Sequence, residues 1–285
     1  MHDPFKIDGP TCISFSGGRT SAYMLRQVLL HNSAEDVARW LVVCFANTGK
    51  EEEATLRFIR DCGAQWGVVV VWIEYRNDAA GFAVVDFATA ARQGEPFEAL
   101  IRKRMYLPNP VTRFCTSELK IRAMHKWLRV RGWSTEENPV DMMTGIRADE
   151  PRRVAKIRAR GTTSESRHAW MVMPLADSGV SVGDVAEFWA AQPFNLELPT
   201  YNGRTLAGNC DLCFLKPAAQ VASLIHEKPQ RAVWWAKMEA LALASKPSGA
   251  VFRSDRPSYS AMLHNDGAQT DFVTDEEALA CFCGE

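Results

Sequence analysis

No stretch of the 285-residue sequence approaches the ~18 consecutive apolar residues of a membrane-spanning helix. Its first residues, Met1-His2-Asp3-Pro4-Phe5-Lys6, lack the basic start and apolar core of a secretory signal. The expectation is a cytoplasmic chain with no membrane partner. Internal repeats and low-complexity tracts are missing too, which sets aside repeat architectures. The six histidines show no metal-ligand spacing, so neither His125 nor His168 marks a metal site. A disulfide framework is excluded by the expected compartment, although there are eight cysteines.

An ordinary globular composition remains, 47% apolar and 24% charged. This length can bury one large core, or one domain with a smaller appendage. The net charge of −1 hides an asymmetry. Residues 101–170 hold sixteen Lys or Arg against seven Asp or Glu, a local +9 that leaves −10 for the rest. A basic middle beside an acidic remainder suits an anion site, or a nucleic-acid substrate along that segment. Solvated helix faces would give the same count.

Along the chain, Cys12–Phe15 reads as the end of a strand and Thr20–His31 as a helix. Trp40–Phe45 reads as a strand buried on both faces, Glu51–Trp66 as an amphipathic helix, and Val68–Ile73 as another buried strand. Such alternation predicts an α/β fold, a Rossmann-like doubly wound parallel sheet. Thr116–Arg131 reads as a helix, Val140–Thr144 and Trp170–Pro174 as short strands, and Val182–Ala191 as a helix. Beyond Pro193 the prolines, glycines and paired cysteines change the pattern. Two domains are expected: residues 1–195 for nucleotide binding, and 196–285 as a smaller, helical, Cys-rich appendage. Trp189, Trp234 and Trp235 lie in helical patterns and read as core. Ser245–Tyr259 reads as loop, with Arg253–Tyr259 either contacting substrate or lying plainly at the surface.

A strand that ends in Ser14-Phe15-Ser16-Gly17-Gly18 and opens into a helix makes an anion pocket. Glycines let the backbone approach phosphate oxygens, and the amides of the first helical turn favour negative charge. Ser14, Ser16, Thr20 and Ser21 can add hydroxyl donors, and Arg19 a positive charge. A Gly-Gly turn capped by hydroxyls is the plainer reading. The Lys of a G-x-x-x-x-G-K-[ST] loop is absent.

Ser16-Gly17-Gly18-Arg19-Thr20-Ser21 resembles the PP-loop, Ser-Gly-Gly-x-Asp-Ser, of the adenine nucleotide alpha hydrolase group. Thr20 stands where that pattern has Asp. Three further segments resemble the phosphoadenosine phosphosulfate (PAPS) reductase branch. Phe45–Glu51 is similar to the stretch after its second strand, which implies that Asn47 and Thr48 lie near the nucleotide. Arg113–Ile121 resembles a Cys-Thr-x-x-Leu-Lys segment of DNA phosphorothioation sulfurtransferases and related phage proteins. Gly145–Arg153 resembles the branch's Gly-x-Arg-x-x-Glu-x-x-Arg. The resemblance runs over roughly residues 11–215. It implies an enzyme that binds ATP or a related adenine nucleotide, with Mg2+ as companion ion.

Arg147 and Arg153 can hold phosphate or sulfate oxygens in a guanidinium fork, with Glu150 orienting them. Lys120 and Arg122 are further anion candidates. Arg152, Lys156, Arg158 and Arg160 face either a polymer's phosphates or water.

Cys12, Cys44 and Cys62 sit in apolar stretches and read as small hydrophobes. Cys210-Asp211-Leu212-Cys213 puts two thiolates within reach of one metal centre, and Cys281, Cys283 and Cys115 can add to it. Thiolate ligation suits zinc or iron–sulfur. The resemblance implies a [4Fe–4S] cluster on Cys115, Cys210, Cys213 and one of Cys281 or Cys283; zinc on the last four is the rival. Cys283-Gly284 is also similar to the catalytic Cys-Gly of PAPS reductases.

Three functions compete. In the first, ATP activates a substrate for sulfur transfer through an iron–sulfur centre. The second is reduction of a sulfonucleotide. The third is a nucleotide- or nucleic-acid-binding module with a structural metal and no turnover.

Overall fold

Why β1 (Thr11–Ser14) and β2 (Leu41–Asn47) sit at the centre follows from their side chains, which are buried throughout and mostly apolar, with Thr11, Ser14 and Asn47 the polar ones at the strand ends. In the computed structural model, which describes residues 3–201, 204–245 and 250–264, they pair in parallel. β3 (Val70–Tyr75) continues the parallel sheet beyond β2, and β4 (Phe82–Val85) closes that edge antiparallel. On the other side of β1 come β5 (Val140–Met143) and β6 (Ala169–Val172), both parallel. The strand order is β4-β3-β2-β1-β5-β6.

Strand alternation splits the core in two. Ile13, Val43, Phe45 and Trp72 pack on one face against α1 (Arg19–His31), α3 (Glu53–Trp66) and α8 (Val182–Ala190). Cys12, Val42, Cys44 and Ile73 pack on the other against α5 (Ala123–Val130). The expected doubly wound α/β architecture is therefore present, and Cys12, Cys44 and Cys62 are core residues.

A third cluster surrounds α9 (Ala218–Glu227) and α10 (Gln230–Ser245), with Trp235 at 1% exposure. It also takes Phe97 and Leu100 from α4 (Glu95–Arg104), and Phe114 and Leu119 further on. The C-terminal helical part thus shares its core with residues before 195. Trp189 is buried as expected, while Trp234 is only half-buried, against Phe97.

Two departures from the expected elements bear on function. The helix expected over Thr116–Arg131 is instead a π-helix, Cys115–Arg122, running into α5. The basic stretch after Gly145 contains α6 (Pro151–Arg160), with Val154 and Ile157 buried and no acidic residue in its sequence. Among the described residues no helix is long and apolar enough to cross a membrane.

Candidate functional site

β1 has β2 on one side and β5 on the other, so the chain's direction of travel across the sheet reverses beside β1. Doubly wound sheets bind ligands in the crevice that this reversal opens at the strands' carboxyl ends. A cavity of about 860 Å³ lies there, lined by Ser14, Ser16–Ser21, Gly145–Arg147, Glu150 and Arg153.

Local geometry shapes its floor. Gly17 has φ +74°, and a Cβ there would come within 2.7 Å of Thr55 Cγ2 and 2.8 Å of Ile59 Cδ1. Only glycine fits. At Gly18 the nearest atom to an added Cβ is 3.6 Å away, so the fold itself leaves room. Gly18 caps α1 with no side-chain hydrogen bond, and the first turn holds no acid. Its amides therefore suit an anionic ligand. Ser16 Oγ and Ser21 Oγ lie 2.9 Å apart, and Ser21 Oγ donates to the Gly18 carbonyl at 3.0 Å, which fixes the turn.

Gly145 follows β5 so closely against α1 that a Cβ would meet Ser21 Cα at 3.1 Å. That approach brings Arg147 Nη1 to Thr20 Oγ1 at 3.4 Å. Arg147 Nε donates to Asp149 Oδ1 at 2.8 Å, its backbone N–H donates to Glu150 Oε2 at 3.1 Å, and Arg153 pairs with Glu150. Glu150 thus contacts both arginines at the cavity.

Arg19 is placed differently. Its Nε donates to Asn195 Oδ1 at 2.7 Å and Nη2 to the Leu196 carbonyl at 2.6 Å, while Nη1 reaches Thr200 and Thr205. The side chain fastens this later segment to the start of α1. Asn47 is committed as well: its Nδ2 donates to the fully buried Glu74 at 2.7 Å and to the Ala91 carbonyl at 2.9 Å. Neither Asn47 nor Thr48 lines the larger cavity.

Thr48 stands instead at a second, much smaller cavity, lined by Cys115, Cys210, Cys213, Lys120, Phe97 and Trp235, among others. Cys210 is brought there by an antiparallel bridge to Glu51. The Asp211 N–H donates to the Lys50 carbonyl at 2.7 Å, and Lys50 Nζ pairs with Asp211 Oδ2 at 3.1 Å, both side chains 10% exposed. Trp235 Nε1 donates to Asp211 Oδ1 at 2.9 Å. Arg253 and Arg256 donate to the Phe214 carbonyl, and Tyr259 Oη donates to that of Leu212 at 2.6 Å. The Arg253–Tyr259 stretch therefore braces the C-x-x-C loop.

The π-helix supplies the third thiol. Its i→i+5 bonding stacks residues five apart, so Cys115 and Lys120 face one cavity. In an α-helix they would point about 140° away from each other. Burial pushes the Cys115 thiol up to about 12 and raises that of Cys210 further. Burial also disfavours the Lys120 ammonium, but Cys210, Glu51 at 3.9 Å and the other thiols outweigh it, and its pKa rises.

Among the described residues no three ligand side chains converge closely enough to hold a metal ion. Cys115, Cys210 and Cys213 all line the smaller cavity. Cys281 and Cys283 lie outside the described residues. His125 is buried between Ser134 and Thr163, and burial lowers its pKa to about 4.

Sequence reasoning passed over Lys216, which lines the larger cavity, and the Lys50–Asp211 pair. Lys216 had one signal, a cation three residues after Cys213 in an apolar run. The two cavities share a wall, because Cys213 and Leu215 line both.

No family model matches the chain. An "Uncharacterized nin region protein ORF290" of Escherichia phage lambda is 28% identical over 221 residues, covering 73% of this chain and 67% of that protein.

Proposed function

We propose that this chain is a PP-loop enzyme of the PAPS reductase kind. In this reading it binds an adenine nucleotide at the turn between β1 and α1 and uses it to activate a substrate for sulfur transfer. The observation that carries the reading is the shared wall: Cys213 faces both the phosphate-sized turn and the three-thiol cavity. In this reading a single cysteine, Cys213, stands between the nucleotide's cavity and the other two thiols.

Each group has a task. The Gly18–Ser21 amides and the hydroxyls of Ser16 and Thr20 hold phosphate oxygens. Arg147 and Arg153, kept in place by Glu150, stabilise the charge that gathers on pyrophosphate as it leaves. Mg2+ accompanies ATP. Helix α6 starts at the rim of this cavity and carries only cations among its charges, which supports a nucleic-acid acceptor.

The donor set suits a thiolate-bound group. Three thiols ring one space, and a buried ammonium, Lys120, stands among them as a ready counter-charge. Thiolates suit an iron–sulfur cluster and zinc alike, and the resemblance to the PAPS reductase branch favours the cluster. Cys115, Cys210 and Cys213 would hold a [4Fe–4S] cluster, with Cys281 or Cys283 as the fourth ligand. When bound, it supplies redox-active or sulfur-binding iron.

The test is calorimetry of anaerobically prepared protein against an adenine-nucleotide panel, followed by assays for AMP and pyrophosphate with nucleic-acid acceptors. ATP is expected to bind and to be cleaved. No affinity for any adenine nucleotide would sink the proposal. Thioredoxin-dependent sulfite release from PAPS, lost in Cys283→Ser, would make the enzyme a sulfonucleotide reductase instead. Nucleotide or nucleic-acid binding without turnover would leave a binding module.

A further inference from the structure

The larger cavity has a cation that the phosphate turn does not use. Lys216 is 9% exposed and lines that cavity. Its Nζ donates to the carbonyls of Gly208, at 2.7 Å, and Cys210, at 2.6 Å. An ammonium has three protons to donate. Among the described residues no carboxylate stands within ion-pair distance of it; Asp211, the nearest in sequence, is paired with Lys50. Burial disfavours that ammonium, and Asp211 and Glu52 offset the cost only in part, so an anion entering from the cavity would stabilise it further.

A second, independent feature adjoins it. Asn209 also lines the cavity, at φ +60°, a left-handed backbone seldom adopted by residues other than glycine. Its side chain is half-buried, and it stands in the loop that carries the Gly208 and Cys210 carbonyls to which Lys216 donates. Asn209 stands immediately before Cys210 in the chain. Lys216 and Asn209 therefore bracket the C-x-x-C, and Cys213 lies on the same wall.

We propose that Lys216 and Asn209 form a second anion subsite, which holds the anionic group of a second substrate beside Cys213. The claim of a second substrate rests on the reading of the β1–α1 turn as the nucleotide's place. The two subsites come from different parts of the chain. One is made of backbone amides and hydroxyls at residues 16–21, the other of an ammonium and an amide at residues 209–216. A cavity of about 860 Å³ has room for both occupants. The arrangement brings the second anion to the thiol that is shared with the smaller cavity, and so between the nucleotide and the sulfur ligands.

The experiment uses the full chain and two inorganic probes, pyrophosphate for the turn and sulfate for the subsite, read by calorimetry. With pyrophosphate saturating, wild type is expected to bind one further sulfate. Lys216→Met should weaken sulfate about tenfold or more and leave pyrophosphate within about twofold, and Gly18→Val should do the reverse. Sulfate affinity that ignores Lys216→Met, or equal weakening of both probes, overturns the proposal. If Lys216→Met does not fold, wild type still decides: additive binding supports two subsites, and one-for-one displacement of pyrophosphate by sulfate overturns them. Wild type that takes sulfate but never pyrophosphate would sink the nucleotide reading, and the second substrate with it.

Discussion

The floor of the larger cavity is built from backbone amides, hydroxyls and guanidinium groups, whereas the smaller cavity is lined by sulfur, rings and one ammonium. Their origins differ as much as their chemistry. The floor of the first is six consecutive residues, Ser16–Ser21, plus one loop brought alongside by Gly145. The second draws on residues near 48, 97, 115–120, 210–215 and 235. A site made by one turn depends on local backbone conformation. A site gathered from five places depends on the packing that holds those places together.

The sharpest way to separate the two is to remove sulfur. Anaerobically prepared protein is expected to be brown, with absorbance near ~400 nm from thiolate-bound iron. Cys210→Ser or Cys213→Ser should lose the iron entirely, while nucleotide affinity stays within about twofold. Iron analysis beside calorimetry checks this; colourless wild type holding one zinc would remove the cluster and keep a metal site.

The packing side of the contrast can be broken at the Lys50–Asp211 pair. Lys50→Met leaves a buried carboxylate without its cation, and about 3–5 kcal/mol of stability should be lost in denaturant unfolding. Adding Asp211→Asn should recover part of it, since the two residues share one interaction. Full additivity of the two losses would mean that the pair does not couple the strand end to the C-x-x-C loop.

A third measurement touches neither cavity and sets the background. The folded pKa of His125, about 4, lies below its ordinary value near 6.5. Its contribution is then complete above about pH 6.5 and is lost as pH falls toward 4, on the order of 3 kcal/mol in all. Stability curves at several pH values should show this slope, and His125→Gln should flatten it. An unchanged slope in that variant would move its origin to other groups.

The smallest expected effect is on the local side. Gly18→Val should lower adenine-nucleotide affinity on the order of 100-fold, because a side chain would occupy the phosphate's approach. Iron content and melting temperature should hardly change, given the room at this position. A folded variant with wild-type affinity would take the turn out of the site.

The same contrast explains what could be read in advance. The α/β alternation, the central strands and the helices on either side followed from apolar runs and helical spacing, and the turn at Ser16–Ser21 followed from its glycines. Arg19 could not be placed that way, because the residues that capture it, Asn195 to Thr205, lie some 180 positions on and announce nothing. Asn47 carries no mark in the sequence of the buried Glu74 that takes its amide. β4 is a short edge strand with only partial burial, too weak a pattern to stand out beside the buried ones. Three thiols on one cavity were suggested by C-x-x-C and a resemblance, but the lysines beside them are fixed by tertiary packing alone.

The π-helix at Cys115–Arg122 carries one residue more than an α-helix needs to cover the same turns. Deleting a single codon inside it, at Ser117 for instance, would tighten the segment into ordinary helix and improve its hydrogen-bond geometry. Cys115 and Lys120 would then stand four residues apart, about 40° from each other around the axis, and both would still face the cavity. The wide turn thus acts as a register device: tightening it into α-helix at full length would part the thiol from the ammonium, whereas shortening it by one residue would keep them together.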